Sequence, residues 1–430
     1  MDRKTQTPQP RTVVFVETAS AMGGVQFSTL YLAERLNRSQ WKPVVICPED
    51  GELPEACRAA GIEAHVLEHP AARSTSLRAG SNLRVPNPVA WAWNAYALNV
   101  AARQLRGFLA QSQPALVVTK GMSAHFFGGL AARKLRIPCV WHAQDLISER
   151  TLGVYRRAFG RAAAWLPEYI IADGASIAEQ LPRSLQSRVT VIHNGVDTGA
   201  FHPDVDGGEV RRELGIPADH LVVGHMGRVT PWKGQHYLIE AFARIAEAHP
   251  RVTLLLVGAP VFDNDSYERR LRNMVEELGL AKRVKFAGYR HDTAQALAAM
   301  DVFAFTSIEK DTSPLALLSA MSSGLPIVAF DIEGVRELIE GNDDCVLTVP
   351  CGEANELASA LLRVIDDEQL RVRLGQSVRR LAEQRFSLDQ HVNSIEKVLS
   401  QVAHRREPVS DTDQVPSLSQ HPLPNAHDAV

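Results

Sequence analysis

Short runs of apolar, mostly β-branched residues recur along the chain, separated by longer stretches in which apolar positions fall three and four apart. The first series comprises Thr12–Val16, Pro43–Cys47, Ala115–Thr119, Pro138–His142, Tyr169–Ala172 and Val189–Ile192. A second follows: Leu221–His225, Val252–Val257, Val284–Phe286, Val302–Phe305 and Pro326–Ala329. Their near-continuous apolar character predicts parallel strands covered on both faces. Between them, patterns such as Leu238, Ile239, Phe242, Ile245 and Ala246 mark one face of a single helix. Alternating strand and helix predicts an α/β fold with right-handed crossovers. Two such series exceed one ordinary doubly wound sheet, so two Rossmann-like halves are expected.

Turn chemistry at Asn194-Gly195, His202-Pro203, Gly207-Gly208 and Ile216-Pro217 places the boundary near residues 196–219. A first domain over 11–195 and a second over 196–386 follow. The segment His69–Pro88 is polar, holds Arg73, Arg78 and Arg84, has no acid, and reads as a long, mobile loop. Residues 404–430 are rich in Pro, Ser, Asp and His and are expected to stay disordered.

Composition narrows the class. Of 430 residues, 45% are apolar and 22% charged, which excludes a wholly disordered chain, a coiled coil and a collagen-like repeat. No apolar run approaches the ~18–20 residues of a spanning helix, and Val13–Val16 is too short for a secretory signal. Five cysteines without a CxxC pair point to reduced, structural thiols and a cytoplasmic location. The net charge of −3 hides an asymmetry: residues 1–195 carry 22 basic and 14 acidic side chains, the remainder 24 and 35. A basic half suits an anionic partner, either a phosphate-bearing substrate or the negative inner leaflet; chance clustering on a solvated surface accounts for it equally well. Arg150, Arg156, Arg157 and Arg161, interleaved with Leu152, Val154, Phe159 and Trp165, extend the idea to peripheral contact with an anionic membrane, with a solvated helix face as the alternative. Nucleic acid is not an expected partner, since no recognition motif is present and the pI is 6.6.

Six stretches bear on the chemistry. Met22-Gly23-Gly24-Val25 joins the first strand to a helix, where glycines let backbone N–H groups approach an anion; any tight turn also favours glycine. Gly227-Arg228-Val229-Thr230-Pro231-Trp232-Lys233-Gly234 puts a guanidinium fork and a compact ammonium between a strand end and a helix start, a pyrophosphate clamp or an exposed loop with two ordinary cations. It is not a Walker A loop. Asp311-Thr312-Ser313-Pro314 is expected to open a helix, with Ser313 as N-cap, Pro314 in the first turn and Gly324 ending it; Asp311 would then grip sugar hydroxyls or favour the helix dipole. His142 closes a strand, with Gln144 and Asp145 nearby, where α/β sheets bind ligands. His193-Asn194-Gly195-Val196-Asp197 reads as a turn. Asp263-Asn264-Asp265 matches a DxD pattern but reads as a helix start, and no metal cluster is visible.

In this order, these motifs resemble those of the family 4 retaining glycosyltransferases, or glycosyl transferases group 1. The resemblance runs from about Thr12 to Gln401. It rests on the Gly23-Gly24 loop, His142, Val191–Asp197, Gly227-Arg228…Lys233-Gly234 and Ala320-Met321…Gly324…Pro326-Ile327-Val328. It implies the GT-B architecture, two Rossmann-like domains facing across a cleft, with a last helix over 387–403 crossing back to the first domain. It also implies a nucleotide-diphosphate sugar as donor substrate, no cofactor or metal, and a glycan or lipid-linked acceptor. Arg228 and Lys233 would hold the diphosphate, Gly23 and Gly24 would offer backbone N–H groups, and His142 would touch the donor sugar. The family usually has two glutamates eight positions apart; here those positions hold Asp311 and Ser319, with Glu309 an off-register alternative. Ser319 stands where the ribose-binding glutamate is expected. Two alternatives share the architecture: a non-catalytic nucleotide-sugar-binding scaffold and a nucleotide-sugar epimerase.

Overall fold

The computed structural model describes residues 9–73, 76–79, 83–147, 154–260, 265–309 and 311–405. The tail beyond residue 405, Arg150, Leu152, Asp263 and Asn264 lie outside the described residues. The first half holds β1 (Arg11–Val16), β2 (Trp41–Cys47), β3 (Glu63–Val66), β4 (Ser76–Ala79), β5 (Leu83–Pro86), β6 (Leu116–Lys120), β7 (Cys139–Ala143), β8 (Tyr169–Ala172) and β9 (Val189–Val191). The second holds β10 (Leu221–Met226), β11 (Val252–Val257), β12 (Val284–Gly288), β13 (Val302–Phe305), β14 (Ile327–Phe330) and β15 (Leu347–Val349). One parallel sheet runs β3-β2-β1-β6-β7-β8-β9 and the other β12-β11-β10-β13-β14-β15. Strand order reverses between β1 and β6, and again between β10 and β13. In such sheets the crevice outside the strand carboxyl ends at the reversal is where ligands bind.

Both faces of the first sheet are buried, which is why its strands read as continuous apolar runs. Val14, Val16, Val117 and Trp141 pack with Ala101, Leu105 and Leu109 of the helix Pro88–Ser112. Val13, Phe15, Val118, Val140 and Ile171 pack on the other face, where Leu388, Val392, Ile395, Leu399 and Val402 of the chain's last helix, Leu388–His404, complete the core. Ser387 caps that helix by accepting from the Gln390 N–H. Its approach depends on Gly195, where a Cβ would lie 2.6 Å from His391 Cβ and 2.8 Å from Leu388 Cα. Each large side chain so buried is worth about 1.5–3 kcal/mol.

Every strand expected from an apolar run is present within two residues of its limits. The sequence pattern misses β3 and β15, short edge strands that are only partly buried and so lack a continuous apolar signature. The expectation of a loop over 69–88 is corrected, because an antiparallel hairpin forms there, with Arg78 opposite Arg84 and Leu77 opposite Val85. Phe159, read as part of a lipid-facing segment, is only 2% exposed and belongs to the core.

Candidate active site

The second half's reversal point is framed by the loop after β10 and the segment after β13. Thr306 Oγ1 donates to the Lys233 carbonyl (2.9 Å), and the Ile308 N–H donates to the Trp232 carbonyl (2.9 Å). Gly234 makes this possible: its φ is +68°, and a Cβ would sit 2.0 Å from the Thr306 carbonyl oxygen. Lys233 therefore lies almost buried, its Nζ 4.3 Å from the centre of the Trp232 ring and ion-paired with Asp311. Ser307 Oγ donates to the same Asp311 oxygen (2.9 Å). Arg228 differs. Its side chain is exposed, its Cζ is 5.5 Å from the same indole, and it makes no hydrogen bond to a described residue. Gln235 Nε2 fixes its backbone by donating to the Arg228 carbonyl (2.8 Å). The two cations flank one aromatic ring at the strand carboxyl edge, one open and one neutralised.

Two readings of the 311–314 segment are corrected. The helix is Leu315–Ser322, with Pro314 at the N-cap position. Ser313 sits at φ +45° and accepts a hydrogen bond from the Asn194 N–H (2.7 Å) instead of capping the helix. Asp311 lies outside the first turn, so its charge serves Lys233 and not the helix dipole. Gly324 does end the helix region, at φ +70°.

The first half's reversal point is the turn after β1. Gly23 precedes the helix Gly24–Arg35, whose start has no side-chain cap, and no atom stands within 4 Å of where a Gly24 Cβ would be. Uncapped N–H groups beside open space can meet an anion. Beneath them lies a buried polar layer. Glu17 accepts from Thr29 Oγ1 and from Gln26 Nε2 (3.2 Å), while Lys120 Nζ donates to Ser28 Oγ (3.1 Å). Burial pushes the Glu17 carboxyl up and the Lys120 ammonium down, and the attraction between the two opposes both shifts.

His142 is fully buried, with neither ring nitrogen hydrogen-bonded. Its ring centre is 6.3 Å from that of His391 on the last helix. Burial, helped by Lys120, holds its pKa well below the ordinary histidine value. The ring is enclosed by protein on the side facing the last helix. The same strand end does send a group into the cleft. Asp145 is open to solvent yet closely surrounded by protein, so its carboxyl is raised by desolvation while the Arg228 guanidinium pulls it down. Exposure combined with enclosure is what a residue on a cleft wall shows. The Asp145 carboxyl and the Arg228 guanidinium thus lie within electrostatic reach of each other. Tyr289, after β12, reaches the first half near Glu52 and Tyr31.

The back of the cleft is a hydrogen-bonded seam. Asn194 Nδ2 donates to the Ser313 carbonyl (2.9 Å), and its Oδ1 accepts from Ser28 Oγ (3.1 Å) and Gln144 Nε2 (3.3 Å). Thr312 Oγ1 donates to Asp173 (3.0 Å), and Glu337 accepts from the Ala175 N–H (2.5 Å). Burial raises the Asp173 carboxyl well above its ordinary range, and the Thr312 hydrogen bond opposes it. The seam joins the two halves immediately beside Asp311. Among the described residues, no group of three His, Cys, Asp or Glu side chains is placed to hold a metal ion.

Two family models match the two halves. One described as "Glycosyltransferase Family 4" covers residues 22–200, and one described as "Glycosyl transferases group 1" covers residues 207–381. The chain belongs to the family 4 glycosyltransferases. It is 33% identical over 207 residues to a D-inositol 3-phosphate glycosyltransferase of Stackebrandtia nassauensis, covering 47% of this chain and 46% of that protein. It is 28% identical over 268 residues to the UDP-Gal:alpha-D-GlcNAc-diphosphoundecaprenol alpha-1,3-galactosyltransferase of Escherichia coli, covering 60% and 68%. The match thus spans about half the length of the first relative. The structure of Anabaena HepE in complex with UDP and glucose superposes with a TM-score of 0.75 at 27% identity, covering 91% of this chain and 99% of that one. The two sheets facing across a gap are therefore the GT-B fold.

Within this family 4 glycosyltransferase, Ser319 lies on the helix Leu315–Ser322, 8% exposed; its carbonyl accepts from the Ser323 N–H (2.8 Å), and its hydroxyl makes no hydrogen bond to a described residue. Asp173 is the cleft residue that sequence reasoning does not name; Asp145, Asn194 and Thr312 are named there only as neighbours of other candidates or as parts of turns. Asp145 carried one usable signal, its place at the end of a strand beside His142.

Proposed function

We propose that the protein transfers a sugar, with retention at the anomeric carbon, from a nucleotide-diphosphate sugar to a glycan or lipid-linked acceptor. The work would belong to cell-surface polysaccharide or glycolipid synthesis, in the cytoplasm at the inner face of the membrane. The observation that carries this reading is Arg228 and Lys233 around Trp232, with Asp145 within electrostatic reach of Arg228. Sugar transfer separates an oxocarbenium-like sugar from a diphosphate, so the largest electrostatic demand falls on the leaving oxygen. Arg228 is open to meet it bidentately. Lys233 is drawn from Asp311 toward the phosphates when donor binds, and Asp311 then turns to a sugar hydroxyl. These two cations supply the neutralisation that a divalent ion would otherwise give, so metal independence is part of the reading. Asp145 accepts a hydrogen bond from the sugar or the incoming hydroxyl.

HepE is seen with UDP and glucose, which supports a uridine diphosphate sugar as donor. The E. coli relative's diphosphoundecaprenol substrate supports a lipid-linked acceptor. The test is a thermal-shift screen of nucleotide diphosphates and nucleotide sugars, followed by product analysis with the best donor. A rise in melting temperature for one nucleotide, and an α-linked product from an α-linked donor, are expected. Ser319, in place of a carboxylate, favours one rival, the non-catalytic scaffold; no stabilisation by any nucleotide would select it. Conversion of the donor without acceptor would select an epimerase.

A further inference from the structure

The helix Pro88–Ser112 presents an unusual first three turns. Val89 is 70% exposed, Trp91 51% and Tyr96 57%. Single exposed apolar residues are ordinary, but two large aromatics and a valine within eight residues form a patch. The patch is stiffened. Arg73 stacks on Trp93, its Cζ 3.9 Å from the ring centre, and Trp93 Nε1 donates to the Ala71 carbonyl (2.9 Å). Asn94 accepts from the Arg73 N–H (2.7 Å) and donates to its carbonyl (2.9 Å). The hairpin β4–β5 leaves from this clamp and returns to Asn87, which caps the helix by accepting from the Ala90 N–H.

The charge around the patch has one sign. From His69 to Gln144 the chain has no Asp or Glu, while Arg73, Arg78, Arg84, Arg103 and Arg106 fall within that stretch. Down the helix, Ala92, Tyr96, Asn99, Arg103 and Arg106 share one exposed stripe. The arginines begin about 10 Å beyond Tyr96 at 1.5 Å per residue. Aromatics at a tip with cations behind them match a bilayer interface, where indole and phenol rings settle among headgroups and arginines meet phosphates. The helix starts at the carboxyl edge of the sheet, on the cleft's own side.

We propose that the first turns of the helix Pro88–Ser112, with Arg73, Arg103 and Arg106, form a docking surface for an anionic lipid bilayer. This rests on the proposed function only for its purpose, bringing the acceptor side of the cleft to a lipid-linked acceptor. The segment ending at Trp165 is a separate feature. Its Arg133–Trp165 stack (4.3 Å) lies at helix C-terminal ends, and so on the far side of the sheet.

The experiment is co-sedimentation of the full chain, without donor, with vesicles of phosphatidylcholine alone and with vesicles containing phosphatidylglycerol. Binding at least tenfold stronger to the anionic vesicles is expected. Trp91→Ala with Tyr96→Ala should weaken it at least tenfold. Arg103→Gln with Arg106→Gln should weaken it about fivefold per charge. Lys282→Gln, on the second half, should change nothing. All these side chains are exposed, so melting temperature and nucleotide-induced stabilisation should be the same in the variants as in the unaltered protein; absence of nucleotide-induced stabilisation in the unaltered protein would count against the proposed function and not against this surface. Equal binding to both vesicle types, no binding, or full binding by the aromatic double variant overturns the proposal.

Discussion

On the second half's side of the cleft, Arg228, Trp232 and Lys233 belong to a single loop between a strand and a helix. On the first half's side, Glu17, Ser28, Lys120, Asp145 and Asn194 come from five separate segments and meet only because the sheet gathers its strand ends. One wall is local and cationic, with an open guanidinium. The other is dispersed, with its lysine sealed beneath a helix and an aspartate at its surface. A local wall can be read from spacing and damaged by one substitution. A dispersed wall hides in the sequence and shares its load.

That contrast can be broken most sharply by Arg228→Ala. Loss of one preorganised donor at the leaving group should lower turnover about 10²–10³-fold. Unchanged melting temperature would show that the fold is intact, and unchanged turnover would remove Arg228 from the clamp. Lys233→Ala should cost comparable activity but also stability, about 3–5 kcal/mol, because it strands the nearly buried Asp311 carboxylate. Lys233→Ala combined with Asp311→Asn should regain much of that stability and none of the turnover. Asp145→Asn, on the opposite wall, should cost about 10–100-fold in kcat/KM, the worth of one hydrogen bond to a charged group. A loss equal to that of Arg228→Ala would mean the walls are not unequal after all.

Acid exposes a further difference. Burial lowers His125 to about 3, and His225 and His391 to about 4, from an ordinary value of 6.5. Below pH 6.5 the unfolded chain takes up protons that these native histidines refuse. Stability should therefore fall as pH drops from 6.5 toward 4, by at most about 1.4 kcal/mol per pH unit for each. Glu17, pushed up, keeps its proton longer in the native state and offsets part of this loss. Melting curves across this range should show a shallower slope for His225→Asn, and an unchanged slope would contradict a neutral, buried His225. The smallest effect is expected from Ser319→Ala, no more than about tenfold in nucleotide affinity, since a neutral hydroxyl contributes about 0.5–1.5 kcal/mol. Isothermal titration would measure it, and a larger loss would give the serine a role the glutamate usually fills.

The architecture was legible because both sheets are covered on both faces and their strands are continuous apolar runs. The 227–234 loop was legible because its chemistry is contiguous. Asp145 was not, since exposure within an enclosed space is a three-dimensional property. Asn194 looked like half of an Asn-Gly turn; its bonds to Ser28, Gln144 and Ser313 depend on how the halves close. His142 shows the converse. Its position at a strand end said nothing about which face it takes, and the side it occupies is roofed by the last helix. Ser313 failed as a cap because Asn194 claims its hydroxyl.

The return of the helix Leu388–His404 to the first sheet bears on biosynthesis. The strands of that sheet are complete once Val191 has emerged from the ribosome, yet the helix that roofs one face has still to be made. At about 5–20 residues per second the nascent sheet waits roughly 10–40 s with Val13, Phe15 and Val118 without their final cover. During that interval the exposed apolar face is a natural target for a chaperone.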